Sequence, residues 1–175
     1  GSAATTRREI DRVWLRRSLR VGICAFVVVA AFTGWWVARS RLEESKDLAL
    51  GRPWRASSEL AGAGCRSPAQ VCTEGPDYFF HTQEEERPWL EIDLGAPQLV
   101  SSVRVVNRKD CCRERATPLA VEVATAPNRF KEVARFVEPI TDRTLEFEPV
   151  PARYVRVRAV EKTFLHLSRV RVFGE

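Results

Sequence analysis

The 175 residues contain no methionine and only two histidines and two tyrosines. A chain without Met is expected to begin downstream of its initiator. Zinc finds no ready site, because no C-x2-C pair faces a second ligand pair and one His near two adjacent Cys is poor tetrahedral spacing. No long Pro- or Gly-rich linker divides the chain. What is present, 45% hydrophobic and 29% charged residues, excludes a disordered, collagen-like or wholly membrane-embedded chain. The net charge of +5 raises nucleic-acid binding as a class, so its location matters. Residues 1–47 hold nine basic and five acidic groups, which leaves 19 basic and 18 acidic groups for residues 48–175. The larger part is therefore nearly neutral, and no nucleic-acid partner is expected.

Residues 21–38, VGICAFVVVAAFTGWWVA, carry no charge and stand between Arg20 and Arg39. A helix of that length spans roughly 27 Å, close to the hydrocarbon thickness of a bilayer. The stretch reads as one transmembrane helix, with Trp35 and Trp36 at its headgroup end and Cys24 as a small apolar residue within it. A cleaved signal peptide fits less well, since the run is longer than a usual signal core and leaves through WWVARSR. Arg7, Arg8, Arg12, Arg16, Arg17 and Arg20 precede it, so the positive-inside rule assigns residues 1–20 to the cytoplasm. The domain after the charged connector 39–47 is then expected on the periplasmic or extracellular side.

From residue 89 onward apolar and polar residues alternate as in half-buried strands. The expected strands are Trp89 to Leu94, Leu99 to Asn107, Leu119 to Thr125, Phe130 to Phe136, Thr144 to Phe147, Tyr154 to Val160 and Leu167 to Phe173. Ala126-Pro127-Asn128-Arg129 supplies a turn. Short strands with regular turns predict an all-β antiparallel sandwich over residues 48–175, long enough to bury its own core.

The separated runs ALGRPWRASS (49–58), PWLEIDLGAP (88–97), ARYVRVRA (152–159) and VRVFGE (170–175) resemble the discoidin, or coagulation factor 5/8 type C, domain. The resemblance implies a jelly-roll β-sandwich, a galactose-binding-like fold, with a binding rim of loops at one end. Fold alone does not assign function.

The densest polar cluster is Asn107 to Arg115, NRKDCCRER. Adjacent cysteines are uncommon, and a Cys111–Cys112 disulfide closes an eight-membered ring that fixes the loop. The run matches R-x-D-C-C-x-E-R, the signature of the F-type, fucose-binding lectins, and His81 stands 27 positions ahead of Arg108 as that family's pattern requires. The resemblance implies that His81, Arg108 and Arg115 hydrogen-bond a sugar hydroxyl, that Asp110 holds the guanidinium groups, and that Cys111 and Cys112 offer an apolar surface to the sugar ring. These residue types suit such a role, since a hydroxyl both donates and accepts and Arg stays charged at physiological pH. His166, without a spacing partner, reads as structural.

The lectin pattern also has a Cys two residues before the ligand His and a Cys-Glu pair in the last strand, with calcium nearby. Here Phe79 and Ser168-Arg169 occupy those places, and the loop 59–80 lacks an Asp/Asn-rich run. Calcium needs six to eight oxygens, so no cofactor is expected. Cys65, Cys72, Cys111 and Cys112 allow three pairings, of which the two local ones, Cys65 to Cys72 and Cys111 to Cys112, are preferred. Disulfides fit the oxidising compartment that the topology implies. Paired cysteines lose their thiolates, which removes Cys-His nucleophilic catalysis, and the acidic run Glu84 to Glu86 reads as a solvated loop; no enzyme is expected. The expected function is a membrane-anchored glycan-binding module in which clustering compensates weak sites. The alternative is a non-catalytic adhesion or assembly module holding a protein or lipid partner at the sandwich rim, with Asp110 neutralising Arg108 and Arg115 internally.

Overall fold

The computed structural model describes residues 32–33, 35–36, 47–61, 64–65 and 70–174. The chain divides into two compact units, residues 1–45 and 46–175. In the first, Phe32, Thr33, Trp35 and Trp36 are helical and exposed. Among the described residues no helix is long and apolar enough to cross a membrane. The expected cytoplasmic segment 1–20, and all but four residues of the expected span 21–38, lie outside the described residues.

The second unit is antiparallel β structure. Its strands are β1 (Trp54–Ala56), β2 (Phe80–His81), β3 (Trp89–Asn107), β4 (Leu119–Ala124), β5 (Lys131–Phe136), β6 (Asp142–Ala159) and β7 (His166–Gly174), with one 3-10 turn at Arg113–Ala116. They are ordered β2-β7-β3-β6-β4-β5, and β1 pairs with β3. Two expected boundaries are corrected here. The segments separated at 94–99 are one strand, β3, and those separated at 147–154 are one strand, β6. Each is long enough to serve two layers. The first part of β3 pairs with β1 and the end of β6; its last part pairs with β7 and the start of β6. The ladder changes register between Asp93 and Gln98 and again between Val100 and Ser102. Gly95 sits in the first shift at φ +84°, a left-handed backbone that glycine adopts without steric penalty, and its N–H donates to the Asp93 carboxylate at 2.8 Å.

Alternation does the rest. Leu90, Ile92, Val155 and Val157 of one layer and Val103, Val105, Val170 and Val172 of the other are buried in a single apolar cluster. Full burial of such side chains contributes about 1.5–3 kcal/mol each. On the β3 positions between them, Glu91 accepts from Arg55 and Arg156 at 2.8 Å each. Arg156 in turn lies 3.6 Å from the Phe130 ring centroid.

This folding puts one end of β3, the start of β7 and the whole of β2 together. β2 pairs Phe80 with Leu167 and His81 with His166. The chain enters the unit at the other end of β7, where the Leu48 N–H donates to the Val172 carbonyl at 2.8 Å. The five residues from Val172 to Leu167 separate the two places by roughly 17 Å.

Candidate functional site

Asn107, the last residue of β3, turns the chain into the Arg-rich loop. Its buried amide donates to the carbonyls of Arg113 and Ile140, at 2.8 and 3.1 Å, while its Oδ1 accepts the Arg108 N–H at 2.8 Å. The loop is thus looped back on itself from inside. Cys112 has a left-handed backbone at φ +59° and leads directly into the 3-10 turn that carries Arg115. Cys111 and Cys112 are disulfide-bonded, with Cα atoms 3.8 Å apart, and Cys65 is bonded to Cys72 with Cα atoms 6.1 Å apart.

Arg108 is buried, and its guanidinium is gripped from one side by Asp110. Nε donates to Oδ1 at 2.7 Å and the Nη2 donates to Oδ2. That bond holds the Asp110 carboxyl well below the usual carboxylate range. The third nitrogen, Nη1, stays outside the pair. The same guanidinium lies 4.7 Å above the Tyr78 ring centroid, and Arg115 lies 5.0 Å above that of Phe164. His81 stands between those two rings, at 5.5 Å from Tyr78 and 5.7 Å from Phe164, edge to face with both. The structure therefore brings His81, Arg108 and Arg115 into one group, framed by two aromatic rings that each carry an arginine.

The protonation of His81 follows from its neighbours. Nδ1 is 2.7 Å from the Thr82 carbonyl, which can only accept, so Nδ1 carries the proton and Nε2 is the acceptor. Burial pushes the pKa of the ring down, with Arg108 and Arg115 adding to the effect against the Thr82 bond. Behind it, His166 is fully buried, 4.9 Å from His81 between ring centroids, and neither of its nitrogens has a hydrogen-bond partner among the described residues. Burial first, then the positive charge of Arg108, pushes its pKa down to about 4. The site thus presents a neutral imidazole acceptor beside two cationic donors, a set that matches the donor and acceptor sides of one hydroxyl group.

The places where the lectin pattern has a disulfide and an acid are filled differently. Phe79 is core, 5.6 Å from Trp54 between ring centroids. Ser168 Oγ lies 2.7 Å from the Asp77 carbonyl and 2.8 Å from that of Asn107, joining the loop, β7 and β3. Arg169 pairs with Glu74 at 2.5 Å. No group of three or more His, Cys, Asp or Glu among the described residues is placed to hold a metal ion. Tyr78 and Phe164, which orient the arginines, carry no spacing or periodic signal in the sequence.

Residues 74–157 match the F5/8 type C family described as a NedA-like, galactose-binding domain. Fucolectin-6 of Anguilla japonica is 31% identical over 104 residues, covering 54% of this chain and 56% of that protein. Pentraxin fusion protein of Xenopus laevis is 28% identical over 102 residues, covering 54% of this chain and 24% of that protein. The chain thus spans only part of the length of the curated relatives it matches. Among solved structures, the lectin domain of Lectinolysin complexed with Lewis B antigen superposes with a TM-score of 0.59 at 26% identity, covering 74% of this chain and 96% of that one. An f-lectin from the serum of striped bass, Morone saxatilis, gives 0.63 at 28% identity, covering 74% of this chain and 48% of that one. The domain has the discoidin, galactose-binding-like fold, and fucolectins are among its homologues.

Proposed function

We propose that residues 48–175 form a non-catalytic carbohydrate-binding domain of the fucose-type lectin kind, tethered to a membrane through residues 21–38 and displayed on the periplasmic or extracellular side. The observation that carries the binding reading is the placement of His81 between two aromatic rings, each bearing an arginine, Arg108 over Tyr78 and Arg115 over Phe164. One sugar hydroxyl donates to His81 Nε2 and accepts from both guanidinium groups, while the Cys111–Cys112 bridge meets the ring. The relatives support the same class by name: fucolectins, and a lectin domain complexed with Lewis B antigen.

The assembly-module alternative requires Asp110 to neutralise both arginines. Asp110 engages Arg108 with both oxygens, whereas Arg115 has no carboxylate partner among the described residues. That leaves one cation uncompensated at the rim and favours a polar small ligand. Hydrogen bonds from charged donors are worth about 1.5–3 kcal/mol each, partly offset by dehydration of the sugar. A single site is therefore expected to bind in the micromolar to millimolar range, with clustering in the membrane raising avidity.

The test is a titration of the full chain in detergent micelles against a panel of monosaccharides and glycans. Arg108→Ala and Arg115→Ala should each weaken binding at least about tenfold. The Arg115 variant should leave the melting curve of the domain in place, whereas the Arg108 variant, which removes a buried side chain paired with Asp110, should lower it while the domain stays folded. Chelator should leave affinity unchanged, because an Arg169–Glu74 pair stands near where the calcium ligands would be. Reductant should weaken it by opening the Cys111–Cys112 ring. Absence of binding by the intact chain across the panel overturns the reading.

A further inference from the structure

We infer that a cleft bordered by Arg108 takes a compact anionic substituent, a sulfate or a carboxylate, borne by the same glycan that reaches His81. This rests on the carbohydrate-binding reading above and specifies its substrate class. The cleft has a volume of about 280 Å³, and its charged lining residues are Arg108, Lys109, Arg113, Arg169 and Asp142. Four cations thus face one carboxylate.

The carboxylates around it are already committed. Asp142 accepts from Arg104 with both oxygens at 2.8 Å. Asp110 is bound to Arg108, and Glu74 to Arg169. Lys109 and Arg113 are exposed and have no acidic partner among the described residues; the Arg113 Nη2 donates only to the Lys109 carbonyl, at 2.8 Å. That bond holds the two cationic side chains on one short loop. An oxyanion entering the cleft therefore meets two uncompensated charges and the paired forks of Arg108 and Arg169, without displacing an existing ion pair. Guanidinium groups present several fixed N–H donors to such oxygens.

Arg108 makes the connection to the sugar. Its guanidinium borders the cleft and also stacks on Tyr78 beside His81. A neutral sugar at His81 and an anionic group in the cleft are thus contiguous across one side chain, which is the geometry of a single acidic saccharide.

The experiment compares three matched oligosaccharides on the full chain in detergent micelles: a neutral fucoside, its monosulfated form, and a form in which the same position bears a uronic carboxylate. At low salt at least one anionic form should bind about tenfold more tightly than the neutral one, and the margin should shrink as ionic strength rises. The two anionic arms show which group the cleft prefers. In the double variant Lys109→Gln/Arg113→Gln the margin should vanish while affinity for the neutral fucoside is kept. Equal binding of neutral and anionic forms, or a margin that survives the double variant, overturns this inference and leaves the lectin reading standing. Binding of none of the three overturns the lectin reading and this inference together.

Discussion

The Thr82 carbonyl, 2.7 Å from His81 Nδ1, selects the tautomer that leaves Nε2 as an acceptor, in a ring whose pKa burial and then Arg108 and Arg115 push down. The resemblance to the lectin pattern singled out His81, Arg108 and Arg115, and the fold brings these three together. The pattern did not reach Tyr78 or Phe164, whose roles depend on which loops meet in space. Nor did it show that His166, read as structural, packs against His81 with both nitrogens unpartnered among the described residues. That burial has a measurable consequence. The folded pKa of His166 is about 4, below the ordinary value of 6.5. The unfolded chain therefore takes up a proton first as pH falls, so the contribution of this residue to stability is full above about pH 6.5, declines toward pH 4 and is lost below it. Melting temperatures measured from pH 7 to 4 should fall, and His166→Leu should flatten the part of the slope that this residue causes. An unchanged slope in that variant would contradict the assignment.

Elements show why some boundaries were readable and others not. Alternation marked both halves of β3 and β6, because apolar residues recur on the core side of each, buried in β3 and the end of β6 and partly buried at Leu145 and Phe147 in the start of β6. The joins were not marked. Around Gly95-Ala96-Pro97 the residues are exposed and the register shifts, so the pattern lapses although the chain stays extended. β1 and β2 have only three and two residues, too few to show a period. β2 nevertheless carries His81, and its surrounding loop is fixed to β7 by Ser168 rather than by a disulfide at that point. Ser168→Ala removes a buried donor shared by two carbonyls and should destabilise the domain by about 1–3 kcal/mol in denaturant unfolding. Glu74→Gln, which breaks a partly exposed ion pair, should change stability by less than about 1 kcal/mol. A larger effect for Glu74→Gln than for Ser168→Ala would reverse this account of what holds the loop.

Across the whole chain, the surplus charge of +5 divides into an arginine-rich front segment and a nearly balanced domain. Within the domain the site gathers at the end of β7 away from the point where the chain enters. The most direct test of the proposed function is a crystal structure of the domain-bearing chain soaked with L-fucose. It should show one sugar hydroxyl within hydrogen-bond distance of His81 Nε2, the Arg108 Nη1 and the Arg115 guanidinium, with the ring against Cys111 and Cys112. Fucose bound elsewhere, for example in the cleft of about 330 Å³ beside Trp54 and Tyr154, or a site left empty at saturating sugar, would contradict it.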